Sequence, residues 1–221
     1  MIDPNTLHFL EDLAKNNEKE WFHENRGRYE EARANFIDFS SEVLEQLKTI
    51  QDDLLNTEVK KCILRINRDI RFTKDKRPYK NYFGAGFGPG GSSSGRSDFY
   101  LQIEPGGKSF LGGGMWSPSP ENMAKWRQEI DYNPDALKSI IYAYEFKNYF
   151  KEIAGQQLKT KPKGYEIDHP EIELLKYKEL FFYRYYSDKE VCSENFSDEI
   201  FKACKLMKPY QDYVNELFFD S

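Results

Sequence analysis

The chain has 221 residues, with 32 Lys plus Arg against 37 Asp plus Glu and a formal net charge of −5. At 39% hydrophobic and 16% aromatic it is too rich in core-forming residues for a disordered chain. It has no periodic glycine or heptad array of a fibrous protein, and its longest apolar run, Ile140 to Tyr144, is five residues, far below a bilayer span.

In chain order, Asn5-Thr6 reads as the N-cap of a short helix carrying Leu7, Leu10 and Leu13. Asn17 and Glu20 have capping-box spacing, with Asn in place of Ser or Thr. A long helix is expected from there to about Ile50. Phe22, Tyr29, Phe36 and Val43 recur every seven residues, with Ala32, Phe39 and Leu47 in the same stripe. Cys62 to Phe72 reads as a strand, with Leu64, Ile66, Ile70 and Phe72 on the core face and Arg65, Asn67, Asp69 and Arg71 on the other. Arg68 is the exception on the apolar side.

Residues 84–114 hold 11 of the 14 glycines. Gly84 to Gly95 is expected to be a loop, Phe99 to Ile103 a strand, Pro105-Gly106 a turn and Lys108 to Leu111 the return strand. Ser119-Pro120 starts a helix with Met123, Trp126 and Ile130, and Asn133-Pro134 starts another with Leu137, Ile140 and Ile141. Lys161 to Pro170 is an irregular loop, and Pro170 opens a short helix through Leu174-Leu175. Leu180 to Tyr186 is a strand, and Asp198 to Phe219 a helix broken or kinked at Pro209. These elements predict a single α+β domain over residues 1–221, with a few antiparallel strands forming a central sheet packed by N-terminal and C-terminal helices.

The N-terminus lacks the basic and apolar regions of a secretory signal. The three cysteines, Cys62, Cys192 and Cys204, form no Cys-x-x-Cys. A cytoplasmic protein without a disulfide framework, metal or cofactor is expected. Gly86 to Gly91 matches G-x-G-x-x-G and Gly91 to Gly95 matches G-x-S-x-G. Neither is followed by a helix start, so both are rejected as catalytic motifs.

One segment stands out by charge. Residues 61–80 hold eight basic residues and two acids, a local charge of +6, which leaves −11 on the rest of the chain. Arg65 and Arg71 share a strand face about 20 Å apart at strand rise, and Lys74, Lys76 and Lys80 follow. Such a gathering suits an oxyanion: Arg offers a planar fork and Lys a point charge. The candidate anion-binding residues are therefore Arg65, Arg68, Arg71, Lys74, Lys76 and Lys80, positioned by Asp69 and Tyr79, with Trp116 as a pocket wall after three glycines. The competing reading pairs these arginines with Glu30, Glu31, Asp38, Glu42 and Glu45 of the long helix, in a structural or interaction protein.

The stretch Arg65 to Lys80 resembles the signature of the family known as domain of unknown function 2461. Asn16-Asn17 with Glu20-Trp21-Phe22, Gly112 to Pro118 and Pro162 to Pro170 support the same resemblance. It covers nearly the whole chain and implies one full-length domain with no assigned activity. Thr73 stands where Ser is common, and the 84–95 loop is richer in Gly and Ser than is usual.

Asp168 and His169 are the candidates for acid–base chemistry, since His titrates near neutrality. A loop His that caps the helix after Pro170 is the alternative. The expected function is binding of a small anionic or phosphorylated ligand. An acid–base or hydrolytic enzyme using Asp168 and His169 beside the basic pocket is the alternative. A nucleic-acid partner is disfavoured because the −11 remainder leaves no broad basic surface for phosphates, and no membrane partner is expected.

Overall fold

A computed structural model describes residues 1–151 and 153–219 of the chain. The first helix, α1 (Pro4–Lys15), is capped by Asp3, whose carboxylate accepts from the Asn5 N–H. The cap therefore lies two residues before the expected Asn5-Thr6, because Pro4 takes the first helical position where no N–H is required. The expected single long helix is two, α2 (Lys19–Glu24) and α3 (Arg26–Leu47), separated at Asn25. A short 3-10 turn (Asp52–Leu54) and a one-turn helix, α4 (Val59–Cys62), follow.

The sheet has four antiparallel strands in the order β1 (Phe83–Phe87), β2 (Phe99–Ile103), β3 (Ser109–Met115) and β4 (Leu180–Tyr186). Helices α5 (Pro120–Tyr132), α6 (Pro134–Ile141), α7 (Tyr144–Phe150) and α8 (Ile172–Leu175) lie between β3 and β4. The chain closes with α9 (Asp188–Val191) and α10 (Phe196–Phe218), which carries Pro209 in its interior; of the two expected outcomes, break or kink, the helix is not broken there. The architecture is α+β.

The chain forms two compact units. One is Met1–Leu111 with Tyr185–Cys204, and the other is Gly112–Arg184 with Lys205–Ser221. In the first, the seven-residue stripe builds an aromatic core. Phe22 meets Tyr29 at 4.9 Å, Tyr29 meets Phe83 at 6.3 Å, Phe36 stacks on Phe83 at 5.4 Å, and Phe39 stacks on Phe196 at 5.2 Å. Ring pairs at these separations gain beyond their buried area.

In the second unit Phe182 meets Phe146 and Tyr210, each at 4.9 Å, and the buried Tyr210 hydroxyl donates to the Leu180 carbonyl at 2.8 Å. The glycines of β3 are required by close approach. A Cβ on Gly113 would collide with Met207 Sδ, and one on Gly114, at φ +113°, with the Leu180 carbonyl oxygen.

Two expectations about the middle of the chain are corrected. Phe83 to Phe87 is a strand, buried along its whole length, and not the start of a loop. Its glycines admit close neighbours: a Cβ on Gly84 would lie 2.8 Å from the Tyr100 hydroxyl. The segment from Cys62 to Phe72 is not a regular strand. It holds only the isolated bridges Ile63–Ala85 and Asn67–Tyr79. Ile66 is buried as the alternation predicts, whereas Phe72 is 93% exposed.

The reason lies in the return path. Four residue steps from Ile63 to Asn67 face six from Tyr79 to Ala85, so Asn81 and Tyr82 bulge out and interrupt the ladder. Pro78 has no N–H to donate, and the chain beyond Arg68 leaves the pairing to form a loop.

Candidate functional site

The basic segment is thus an interrupted hairpin rather than a strand face. Its arms are joined by Leu64 N–H to Gly84 O, Lys80 N–H to Ile66 O and Arg68 N–H to Pro78 O, at 2.8, 2.8 and 2.9 Å. Asn17 anchors the return arm. Its side-chain amide donates to the Tyr79 carbonyl and accepts from the Tyr79 N–H, both at 3.0 Å, as a neighbouring strand would. This replaces the expected capping role of Asn17, and the N-cap of α2 is Glu18, which makes no side-chain cap hydrogen bond. The Tyr79 ring stacks on Phe22 with centroids 4.0 Å apart and planes 15° apart. Backbone and ring of Tyr79 are both held.

The loop carries the same short pattern twice, Asp69-Ile70-Arg71 and Asp75-Lys76-Arg77. In each, Oδ1 of the aspartate accepts the N–H and Nε–H of the arginine two residues on, and Oδ2 accepts its Nη2–H at 2.7 Å. Each is a bidentate, charge-assisted pair closed over two residues. Arg68, Arg71 and Arg77 therefore pair within their own segment. Three of the five acids of the long helix are engaged elsewhere: Glu30 with Arg26, Glu45 with Lys48, and Glu42 with the Ser197 hydroxyl.

The two pairs differ in one respect. Asp75 Oδ2 also accepts from Arg68 Nη1 at 2.9 Å, so two guanidinium groups converge on one oxygen. Arg77 first and Arg68 second hold the Asp75 carboxyl far below the ordinary carboxylate range. Asp69 is lowered by Arg71 alone among its hydrogen-bond partners.

A cleft of about 410 Å³ opens beside this convergence. Its charged walls are Arg68, Arg77 and Lys80 with Asp69 and Asp75, and Tyr79, Asn81 and Tyr82 complete it. The Asn81-Tyr82 bulge supplies one wall. Asn81 donates to Glu104 Oε1 at 3.0 Å, and Gln102 donates to Glu104 Oε2 at 2.7 Å, which fixes that wall to β2. Burial and the Glu104 charge push the Tyr82 phenol above its ordinary range. The Lys80 ammonium donates to the Arg65 carbonyl at 2.9 Å and forms no ion pair among the described residues. Burial and the Arg65 guanidinium lower its pKa.

Of the residues singled out by sequence, Arg68, Lys80, Asp69 and Tyr79 line the cleft. Arg71, Lys74 and Lys76 lie on the exposed loop. Arg71 is paired with Asp69, and Lys76 donates to the Ile70 carbonyl at 2.9 Å. Arg65 is exposed and acts on the cleft through its charge on Lys80. Asp75, Arg77, Asn81 and Tyr82 were not singled out. The repeated Asp-x-Arg was the available signal for the first two, and the bulge that brings in the others has none in the sequence.

Asp168, His169 and Trp116 belong to the other unit. His169 Nδ1 accepts from the Glu171 N–H at 3.1 Å, so in the neutral ring Nε2 carries the proton, and it faces Asp131 Oδ1 at 3.0 Å. Both ring nitrogens are engaged at the entry to α8. Asp168 is exposed and makes no side-chain hydrogen bond among the described residues. Trp116 is 64% exposed, with its ring edge-to-face with Phe181 at 5.7 Å. Among the described residues no group of three or more His, Cys, Asp or Glu is placed to hold a metal ion.

A further ionisable group lies in the Gly/Ser loop. The Asp98 carboxylate sits where a Cβ on Gly88 would be, and it accepts from the Ser94 hydroxyl. Burial pushes it up to about 6, against the opposing effects of Ser94 and Arg96. Burial first, and the Asp98 charge second, push the Cys62 thiol up to about 11, away from thiolate reactivity.

The hairpin with its paired aspartates and arginines lies inside a long family match. The profile of the family described as "Conserved hypothetical protein (DUF2461)" matches residues 5–213, through both units. The chain belongs to this family. No curated protein and no solved structure matches it. The DUF2461 match takes in the whole cleft, the His169 loop and the glycines of β3. Among the described residues no helix is long and apolar enough to cross a membrane.

Proposed function

We propose that the protein binds a small anionic ligand in the cleft beside the Asp75 convergence. The observation that supports this is the state of Lys80. Its half-buried ammonium faces the Arg65 charge, and neither group has an ion-pair partner among the described residues. Holding two like charges together while desolvating one is unfavourable unless an anion joins them. Every other cation of the cleft is matched: Arg68 and Arg77 share Asp75. A volume of about 410 Å³ suits a small molecule.

The test is thermal stabilisation at low and high salt by phosphate, sugar phosphates, nucleotides and dicarboxylates. Wild type is expected to be stabilised by one class at low salt, and Lys80→Met and Arg65→Met to lose most of that response. An unresponsive wild type, or variants that respond as wild type does, overturns the reading.

A further inference from the structure

Asp75 occupies the point in the cleft where two guanidinium groups converge. Its Oδ2 accepts from Arg77 Nη2 at 2.7 Å and Arg68 Nη1 at 2.9 Å, and Arg68 Nη1 also donates to the Arg77 carbonyl at 3.0 Å. The Arg68 guanidinium is thus fixed to the Arg77 backbone as well as to the carboxylate. Asp75 is on the loop side of the hairpin, beyond the last pairing between its arms, and its side chain is 36% exposed. It is a carboxylate held by charge at a solvent-accessible place.

Resting on the anion-binding reading above, we infer that Asp75 is a resident competitor in the cleft, which the phosphate group of a monoester ligand displaces from Arg68 and Arg77. The ligand class follows from charge. A monocarboxylate would exchange one carboxylate for another, against a competitor tethered in the same loop at high effective concentration. Such an exchange gains nothing in charge. A phosphate monoester carries close to two charges at neutral pH and three acceptor oxygens. Two oxygens suffice for the two guanidinium groups, and a third remains for Lys80, which lines the same cleft. The extra charge is what the unpaired Lys80 and Arg65 demand. Mild acidification does not release Asp75, because its partners hold it ionised. Displacement is therefore driven by ligand charge.

The twin pair provides the control. Asp69 lines the same cleft and carries the same charge, but it bonds only Arg71, outside the lining. Removing its charge changes the field without freeing Arg68 or Arg77.

The experiment titrates inorganic phosphate and acetate into wild type, Asp75→Asn, Asp75→Ala and Asp69→Asn by calorimetry at low salt, with circular dichroism to confirm folding. Both Asp75 variants are expected to bind phosphate about tenfold more tightly than wild type, the scale of one charge-assisted hydrogen bond set free. They are also expected to bind acetate measurably, where wild type does not. Asp69→Asn is expected to gain no more than about twofold, as for a screened surface charge. Equal or weaker phosphate binding in both Asp75 variants overturns the inference and leaves the anion-binding reading intact, with Asp75 then orienting its arginines. A gain in Asp69→Asn as large as in Asp75→Asn overturns it as well. No phosphate binding in any of the four proteins ends both.

Discussion

The basic hairpin and the 162–171 loop were both marked by their charged residues, and they satisfy those residues in opposite ways. In the hairpin the partners are neighbours in sequence: Asp69 with Arg71 and Asp75 with Arg77, each two residues apart. In the loop the partner of His169 is Asp131, 38 residues away, while the adjacent Asp168 bonds nothing among the described residues. Local pairing leaves a remainder, since eight basic residues cannot be matched by two acids within one segment. Lys80 and Arg65 are part of that remainder. Long-range pairing leaves none at His169, whose two ring nitrogens are both engaged. A charged group that ends up unmatched is a better guide to a ligand than a reactive residue type whose bonds are complete.

The greatest change should come from breaking the hairpin at its anchor. Asn17→Ala leaves the Tyr79 N–H and C=O without their partners in a half-buried place. Denaturant unfolding should show a loss of about 2–4 kcal/mol, with anion-induced stabilisation lost in parallel. Unchanged stability would mean that the hairpin holds its shape without Asn17.

Asp98 comes next, as a carboxylate governed by burial instead of pairing. Its folded pKa, about 6, lies above its ordinary value of 3.8. The stability it contributes is therefore fully present below about pH 4 and is lost as pH rises through 6. Asp98→Asn removes that loss. It should stabilise the protein by about 1–3 kcal/mol at pH 7.5, a rise in Tm of several degrees that fades below pH 4. A Tm difference that does not vary with pH would show that the Asp98 carboxyl is solvated.

The mildest substitutions separate the two residues of the other loop. His169→Ala removes a bond to the Glu171 N–H and one to Asp131, and should cost about 1–2 kcal/mol. Asp168→Ala should stay within about 0.5 kcal/mol, as an exposed substitution away from any partner. Equal costs would undo the contrast between the sequence neighbour and the spatial one.

Much of the architecture was legible before the structure. Phe99–Ile103 and Leu180–Tyr186 are the strands expected, because each is a short run of aromatic and aliphatic residues bounded by turns or polar loops. From Tyr29 onward the seven-residue stripe packs as expected because helix period places its members on one side of α3, and Phe22 joins it from α2. The Gly-rich strand β1 was not legible. Its glycines read as loop by propensity, and the Tyr100 hydroxyl beside Gly84 and Ser92 beside Gly86 reveal close approach as their purpose.

The same division holds for the candidate site. The order of residues alone sets where positive charge is concentrated and that two Asp-x-Arg pairs lie within it, since both depend on neighbours along the chain. Folding in three dimensions was needed to join Arg68 to the second pair and not the first, to bulge Asn81 and Tyr82 into a cleft wall, and to clamp Tyr79 with Asn17 across 62 residues. Those outcomes depend on which backbone groups remain unpaired once the hairpin closes, and no window of neighbouring residues records that.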